Sequence, residues 1–336
     1  MDLPLPIVAL IGFGLINFFL LSASVLVYAE RKVSAYIHNR PGPNRVGPFG
    51  FLQPFADVVK LVFKEDIRPA VANRFIHSFA PWLMVLIAMT TTALLPLARG
   101  VVVADIGVGA LVLLALTSVA VYGVTLAGWS SNSKYSLIGG LRSSAQMISY
   151  ELTMGLAVVS VVLMTGSLRL MDIVESQNLV WNVFRNPIGC ILFIVTAFAE
   201  TNRAPFDLPE AEQELVGGYH TEYSGMKFGM FFLAEYVNLF IASFVIVTFF
   251  FGGYLLPFEN LYVDAFVDNG LDWLLTTLQI LALLVKASFF AFVFIWVRWT
   301  LPRFKYSQLM QIGWKYLLPI ALVWVLLVAL VMAIFS

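Results

Sequence analysis

The sequence predicts an all-α polytopic membrane protein with eight transmembrane helices plus an interfacial amphipathic helix. Of its 336 residues, 60% are apolar and only 12% are charged, whereas about a quarter of the residues of a soluble domain are charged. Mean hydropathy is +0.88, and apolar runs near the ~20 residues needed to cross the hydrocarbon recur along the chain. We therefore expect one transmembrane domain over residues 1–336.

The first predicted span, Leu3–Ala29, carries no charge. A cleaved signal peptide would have a basic start and a small-residue cleavage site, so we expect this helix to be retained. Seven further apolar runs predict spans at Ser78–Ala98, Ile106–Gly128, Ser143–Leu168, Pro187–Asn202, Phe228–Tyr254, Trp273–Val297 and Tyr316–Ser336. The run from Pro187 is the shortest. We find no clear internal repeat, which argues against a transporter built from inverted repeats.

The basic residues predict the orientation of the chain. Eight spans place four connecting segments on one side, and these hold 16 of the 20 lysine and arginine residues. The other side has only Arg99, Arg169 and Arg185, and Lys286 lies within a span. The positive-inside rule puts the basic segments in the cytoplasm, or in the matrix of an organelle, with both termini outside. A net charge of zero gives no indication of nucleic-acid binding.

The first inner segment, residues 30–77, is itself organised. Residues 40–48, RPGPNRVGP, are dense in turn-forming residues. Apolar residues then recur at helical spacing, while Gln53, Asp57, Lys60 and Lys64 share the opposite face. This pattern predicts an amphipathic helix over residues 50–64 at the membrane interface. The helix would be either a plain surface anchor or one wall of a site that opens toward lipid.

The second notable inner segment, residues 200–227, is strongly acidic. The pattern after Asp207, with Pro209 in a first turn, predicts a short helix that ends at Gly217-Gly218 after about two turns. Helix capping alone would account for Glu210 and Glu212, but it accounts poorly for Glu200, Glu214 and Glu222, because like charges one turn apart destabilise a helix. A link between two spans needs neither this length nor this charge, so we expect the segment to be functional.

Several ionisable residues fall within the predicted spans. They are Glu151, Glu200, Glu235 and Lys286, and Glu30 lies at the inner end of the first span. A charge at the centre of a membrane helix costs about 2.5–3.5 kcal/mol on insertion scales. Two structural explanations stay open: an ion pair such as Lys286 with a carboxylate, or an interfacial position for Glu30 and Glu200. The functional explanation is a chain of buried carboxyl groups that passes protons.

Redox centres and metals are not expected in this chain. A single cysteine, Cys190, can neither form an internal disulfide nor hold an iron–sulfur cluster. The three histidines, His38, His77 and His220, are far apart and lack metal or haem spacing.

Ten short segments, in order along nearly the whole chain, resemble one known family. They are ERK at residues 30–32, GPNRVGP at 42–48, QPFAD at 53–57, GGLR at 139–142, SYE at 149–151, ETNRAPFDLPE at 200–210, EQELVG at 212–217, EYSG at 222–225, AEY at 234–236 and PRFKYSQLM at 302–310. The sequence resembles the quinone-site membrane subunit of proton-pumping NADH:quinone oxidoreductase, respiratory complex I. This is the H subunit of the bacterial enzyme and subunit 1 of the mitochondrial one.

The resemblance implies eight transmembrane helices at the heel of an L-shaped complex, in the bacterial inner membrane or, alternatively, the mitochondrial one. It implies that the inner segments dock quinone-proximal subunits of a peripheral arm, whose chains carry flavin and iron–sulfur clusters, beside other membrane subunits and lipid. A quinone chamber, for ubiquinone or menaquinone, would run between the first span, the amphipathic helix and the sixth span. No cofactor would be held by this chain, and in isolation it would catalyse nothing.

The resemblance also implies roles for single residues. Those that would line the quinone chamber or its throat are Arg31, Arg40, Asp57, Asp207, Glu210 and Arg298. Those that would form a polar path from quinone to the proton-pumping subunits are Glu30, Glu151, Glu200, Glu212 and Glu235, with Tyr135, Tyr236 and Lys286. The Gly217-Gly218 pair suggests that the acidic segment switches between two arrangements.

Three alternatives remain at this point. The first is the equivalent subunit of a membrane-bound hydrogenase-type complex, against which the acidic segment and the first-segment motif favour the quinone enzyme. The second is an ion-coupled transporter, which would need a substrate site at the bilayer midplane with broken, repeated helices. The third is a structural anchor for a soluble enzyme, which would have no use for buried Glu151 and Glu235.

Overall fold

A computed structural model describes residues 5–207, 216–257, 259, 263, 266 and 271–335 of the chain. Helices dominate this part, and its only β structure is an isolated bridge between Ala98 and Val101. In chain order the helices are α1 (Leu5–Ile37), α2 (Gln53–Phe63), α3 (Arg74–Thr92), α4 (Gly109–Ser130), α5 (Lys134–Thr165), α6 (Leu170–Glu175), α7 (Asn182–Arg185), α8 (Pro187–Glu200), α9 (Gly225–Phe250), α10 (Asp272–Thr300), α11 (Tyr306–Gln311) and α12 (Leu318–Phe335). A π-helical stretch, Ile312–Leu317, joins α11 to α12.

Within the described residues, seven helices are long and apolar enough to cross a membrane. They are α1, α3, α4, α5, α9, α10 and the continuous unit from α11 through α12. Each corresponds to a predicted span. The remaining predicted span, Pro187–Asn202, is helix α8, which has only 14 residues and is therefore about 21 Å long at 1.5 Å per residue. The chain is thus a multi-pass membrane protein whose described part is helical, with seven long helices and one shorter apolar helix.

Side chains cap the short helix α8 at both ends: Asn186, its own N-cap residue, at the start and Gln146 of α5 at the end. At its start, the side-chain oxygen of Asn186 accepts hydrogen bonds from the backbone N–H of Gly189 at 3.0 Å and the indole N–H of Trp324 at 2.6 Å. At its end, the Gln146 amide donates to the carbonyls of Ala199 at 2.8 Å and Phe206 at 2.7 Å. Irregular backbone inside a membrane protein is tolerated where protein buries and bonds it. The chain therefore leaves α8 as a buried turn, residues 201–207.

Several predicted boundaries were wrong, as in α1 and α5, where the helix continues past the apolar run that predicts it. Helix α1 extends beyond the predicted end at Ala29 to Ile37, which places Glu30 and Arg31 on a helix. Helix α5 begins at Lys134 rather than at Ser143. A helix satisfies its own backbone hydrogen bonds, so it need not end where polar side chains begin.

Helix α2 lies within the range predicted for the amphipathic helix, and it packs against α1 and α9. Five apolar side chains of α2 are exposed on the surface of the chain, with Phe63 the most exposed at 85%: Phe55, Val58, Val59, Val62 and Phe63. Helix α9 is the most enclosed of the long helices and contacts α1, α3 and α10. The fold thus packs α9 against α1, α2, α3 and α10.

The segments predicted to share a side of the membrane contact one another. At the end predicted to be inner, the Ser224 hydroxyl donates to the carbonyl of Glu65 at 3.2 Å, and the Phe304 N–H donates to the carbonyl of Pro205 at 3.2 Å. At the end predicted to be outer, Arg169 forms an ion pair with Asp105. The Arg169 hydrogen bond holds the pKa of Asp105 below its usual value. The bundle therefore has two distinct polar ends.

Candidate functional site

Four charged side chains form a continuous network in the interior of the bundle, here called the charge network. Glu30 comes from α1, Arg203 from the turn after α8, Glu235 from α9 and Arg298 from α10. The Arg203 guanidinium lies 2.6 Å from a Glu30 oxygen and 2.7 Å from a Glu235 oxygen. The Arg298 guanidinium lies 2.7 Å from the other Glu30 oxygen and 4.0 Å from Glu235. Four separate elements are therefore joined by ionic contacts.

Arg203 is at the centre of the charge network. Its side chain is 0% exposed and that of Glu30 is 6% exposed, and its guanidinium lies 4.2 Å from the centroid of the Tyr236 ring. Among the described residues, its Nη2 atom is buried without a hydrogen-bond partner. Two acids and two guanidinium groups balance in formal charge, which is what a desolvated ionic cluster requires, and the planar guanidinium suits contact with both carboxylates and a ring.

Asp207 and Arg303 form an ion pair next to the charge network, at 2.5 Å. Burial raises the pKa of the Asp207 carboxyl to about 6, although the nearby Arg303 and Arg298 guanidinium groups lower it. The turn that carries Arg203 ends at Asp207, so the backbone that places Arg203 also places this carboxyl.

A groove runs along the surface between α1, α2 and α9, with a volume of about 450 Å³. We call it the lateral groove; its walls are largely apolar and include Leu61, Phe228 and Phe232. Arg31 and Asp57 also line it, and their ion pair at 2.5 Å joins α1 to α2.

A second pocket of about 240 Å³, the inner recess, adjoins this groove. It shares Val27, Arg31, Phe232 and Tyr236 with the lateral groove and adds Glu30, Arg298 and Trp299. Two members of the charge network thus line a pocket that continues from the groove.

An internal cavity of about 80 Å³ lies between α3, α4, α5, α8 and α9. Its polar lining includes Glu200, Glu235, Asn238, Asn202 and Tyr219. In the described part of the chain, one Glu200 oxygen is buried without a hydrogen-bond partner. Since Glu235 lines this cavity while Glu30 and Arg298 line the inner recess, the charge network lies between the two spaces.

The predicted site residues do not all fall together. Arg31 and Asp57 line the lateral groove, Glu30 and Arg298 the inner recess, Tyr236 both, and Glu200 and Glu235 the cavity. The Ser118 hydroxyl of α4 donates to Glu151 on α5. Arg40, in the turn after α1, and Tyr135, in the first turn of α5, are exposed and lie outside these spaces. Glu210 and Glu212 lie outside the described residues.

Lys286 is satisfied by backbone carbonyls. Its ammonium donates to Phe251 at 3.0 Å, Gly253 at 3.0 Å and Leu255 at 2.7 Å, just after α9, and it lies 4.7 Å from the centroid of a Trp181 ring. Within the described residues it makes no ion pair with a carboxylate. The suggested pairing of Lys286 with an acid is therefore not observed there.

Sequence reasoning missed Arg203, which the positive-inside count treated as an ordinary basic residue of an inner segment. The sequence did contain a signal, because carboxylates buried among helices, such as Glu30 and Glu235, require nearby cations. Arg203 lies within the acidic motif at 200–210, and Arg298 lies just before the motif at 302–310. It also missed Glu259, a buried carboxylate that accepts from the Gln279 amide at 2.7 Å and from the Leu256 N–H at 2.9 Å.

The histidines and the cysteine form no group of metal ligands in the described structure. In the described residues no three His, Cys, Asp or Glu side chains are grouped as a metal site. Burial lowers the pKa of His220 to about 4, so its imidazole is neutral at physiological pH. Cys190 is a buried free thiol.

Comparison with known proteins gives consistent relatives over almost the whole chain. Residues 10–329 match the family model described as NADH dehydrogenase. The chain is 72% identical to NADH-quinone oxidoreductase subunit 8 of Rhodothermus marinus, covering 100% of both chains. It is 69% identical to the H subunit of NADH-quinone oxidoreductase from Salinibacter ruber, covering 98% of this chain and 96% of the relative. It is 49% identical to the H subunit from Rhodospirillum centenum, covering 94% and 91%.

Proposed function

The chain belongs to the NADH dehydrogenase family as an H-type membrane subunit of NADH-quinone oxidoreductase, complex I, and from that premise we propose that it forms the quinone chamber and couples quinone reduction to proton translocation. The chain is thus a subunit of a translocase and a multi-pass protein of the inner membrane. The observation that carries the proposal is the position of the charge network. It touches the inner recess through Glu30 and Arg298 and the internal cavity through Glu235.

The lateral groove and inner recess have the chemistry that a quinone requires. A quinone has an apolar tail and a polar headgroup, and the groove offers apolar walls such as Phe228 and Phe232. The recess adds the Arg298 guanidinium, the Glu30 carboxylate and the Trp299 ring. We assign the tail to the groove and the headgroup to the recess. Arg31, Asp57 and Asp207 would line the route or its throat, and Arg40 and Glu210 would belong to its inner side.

Reduction of a quinone by two electrons requires two protons, and negative charge develops on the headgroup before they arrive. In the recess that charge would be stabilised by the Arg298 guanidinium, which would loosen its contact with Glu30 at 2.7 Å. Arg203 bonds both Glu30 and Glu235, so a change in the ion pairs of Glu30 would alter the ion pair of Glu235. The charge network would thereby transmit the chemistry of the recess to the cavity.

The internal cavity would continue the proton path beyond the charge network. Its volume of about 80 Å³ is enough for water, whose share of liquid volume is about 30 Å³ per molecule. Glu200 and Glu235 both line it, and protons could pass between them through such water. Glu151, held by Ser118, would stand further along. Glu212, Tyr135, Tyr236 and Lys286 complete the residues that we assign to the polar path.

The finer topology is part of the same proposal. Helix α8 begins near the outer ends of its neighbours and ends at the inner turn, so we count it as the eighth crossing, with both termini on the outer side. Residues 30–77, including α2 at the interface, and residues 200–227 would meet the quinone-proximal subunits of the peripheral arm. Those partner chains would hold the flavin and the iron–sulfur clusters. Other membrane subunits and lipid would surround the bundle.

The proposal is tested with Glu235→Gln in membranes that contain the assembled complex. We expect loss of proton pumping and a large fall in NADH:decylubiquinone activity, with NADH:ferricyanide activity unchanged. Glu175→Gln, at an exposed outer position, is the matched control and should behave as the wild type. Wild-type pumping per NADH in Glu235→Gln would exclude the charge network from the coupling step.

A further inference from the structure

Two glycines meet where the end of the acidic segment crosses helix α5. A Cβ atom placed on Gly139 would lie 2.8 Å from the Cα and the carbonyl carbon of Gly218, and 2.8 Å from the backbone nitrogen of Tyr219. Non-bonded carbon atoms in proteins are optimally separated by about 3.5–4.0 Å. The contact is backbone against backbone, so no flexible side chain could move aside. Only glycine at position 139 allows this approach.

Hydrogen bonds and close packing fix the same contact. The Ser136 hydroxyl, one turn before Gly139 on α5, donates to the Gly218 carbonyl at 3.3 Å. The Thr221 hydroxyl donates to the same carbonyl at 2.7 Å. Helix α4 contacts both α5 and residues 218–220, and a Cβ on Gly128 of α4 would lie 2.5 Å from the Ser136 carbonyl oxygen. The backbones of α4 and α5 are therefore also in close contact beside Gly139, which limits how far α5 can move to relieve a clash there.

The contact positions the next residue along the chain. Tyr219 is 8% exposed, its ring centroid lies 5.3 Å from that of Phe231, and it lines the internal cavity with Glu200 and Glu235. A side chain at position 139 would press on the Tyr219 nitrogen directly. The geometry at Gly139 thus sets the wall of a cavity that contains two carboxyl groups of the proposed proton path.

We propose that Gly139 is a positioning residue for coupling: it seats Gly218 on α5 so that Tyr219 closes the cavity wall beside Glu200 and Glu235. This inference rests on the proposed function of that cavity. It gives the two adjacent glycines of the acidic segment different roles. Gly218 has φ +62° and is the residue whose backbone packs against Gly139. Gly217 has φ −153°, and its nearest neighbour to an added Cβ is the Thr221 hydroxyl at 3.3 Å.

The experiment compares Gly139→Ala with Gly155→Ala on the same helix. No described atom lies within 4 Å of a Cβ placed on Gly155, so this variant controls for alanine in α5. Turnover and pumping are measured in membranes and normalised to NADH:ferricyanide activity, which counts assembled complex. Gly139→Ala should lower NADH:decylubiquinone kcat and proton pumping by about tenfold. Its KM for decylubiquinone should be unchanged, because the lateral groove lies on the α1 and α2 side of α9.

The outcomes separate positioning from mere stability. A purely structural role would reduce the amount of complex but leave kcat per complex and pumping at the wild-type level, which would overturn the proposal. If Gly139→Ala yields no complex, Ser136→Ala decides, since it removes one hydrogen bond and adds no volume. Lower kcat at unchanged KM supports the proposal, and wild-type kcat overturns it. Glu235→Gln, assayed in parallel, reports separately on the function of the cavity, so failure there is distinguishable from failure at Gly139.

Discussion

Arg203 lies between Glu30 and Glu235, two carboxylates that come from different helices, and it is the cation nearest to Glu235, which Arg298 approaches only to 4.0 Å. Its position depends on the turn at residues 201–207, which Gln146 stabilises through the carbonyls of Ala199 and Phe206. A buried pair broken by removal of one partner typically costs about 3–5 kcal/mol, because the remaining charge stays desolvated. The stability of the bundle and the coupling path thus depend on the same guanidinium.

We therefore expect Arg203→Met to lower the thermal midpoint of the complex strongly, or to prevent its assembly. The double variant with Glu235→Gln should recover part of the loss, because it removes the uncompensated carboxylate and leaves Glu30 paired with Arg298. Thermal unfolding of purified complex and the yield of assembled complex are the measurements. Arg185→Met, at an exposed outer position, is the control. A single variant that melts with the wild type would show that Arg203 does not hold the network together.

The pKa of the Asp207 carboxyl predicts that NADH:decylubiquinone activity depends on pH. Burial raises the pKa of its carboxyl to about 6, so the carboxyl is ionised and paired with Arg303 above that pH, and protonation weakens the pair as the pH falls through about 6. We expect NADH:decylubiquinone activity to decline below about pH 6 in the wild type. Asp207→Asn, which cannot ionise, should be slow throughout and lack this acidic limb. Profiles between about pH 5 and pH 8 test this, and an unchanged limb in Asp207→Asn would assign it to another group.

At the scale of single elements, apolar runs were sufficient to place the long helices but not their ends. The first span was predicted to end at Ala29, yet α1 continues to Ile37. Charged side chains need not end a helix when residues of other elements form ion pairs with them, as Arg203 and Arg298 do with Glu30. Helix α8 begins at Pro187 as predicted, but its end depends on Gln146 of α5, which donates to the carbonyls of Ala199 and Phe206. Local sequence contains no information on such partners.

In the candidate site, the sequence identified most of the residues but not the ion pairs that they form. Glu30, Glu235 and Arg298 were identified from their positions in or beside spans and from family resemblance. Their pairing with Arg203 required the buried turn, which no local pattern predicts. An ion pair of Lys286 with an acid was one of the explanations left open, but Lys286 binds three carbonyls just after α9, because the chain there leaves those oxygens within its reach.

At the scale of the whole molecule, three spaces are arranged in sequence across the bundle. The lateral groove opens between α1, α2 and α9, the inner recess continues from it, and the internal cavity lies beyond the charge network. A quinone would occupy the first two spaces and protons the third. This separation means that substrate access and coupling can be perturbed independently, which a substitution in the groove can test.

Gly229 on α9 is suited to that test because it lines the lateral groove opposite α2. A Cβ at this position would lie 3.0 Å from the terminal methyl carbon Cδ1 of Leu61, the end of a flexible side chain, so Gly229→Leu should be accommodated by filling the groove. We expect the KM for decylubiquinone to rise by about tenfold, equivalent to about 1.4 kcal/mol. NADH:ferricyanide activity and protons pumped per NADH should be unchanged, since neither the charge network nor the cavity is touched.

Gly155→Leu, on α5, is the matched control. Assembled complex with a wild-type KM would mean that quinone does not enter between α1, α2 and α9, whereas a raised KM with intact pumping would place substrate access in the groove and leave coupling to the network behind it.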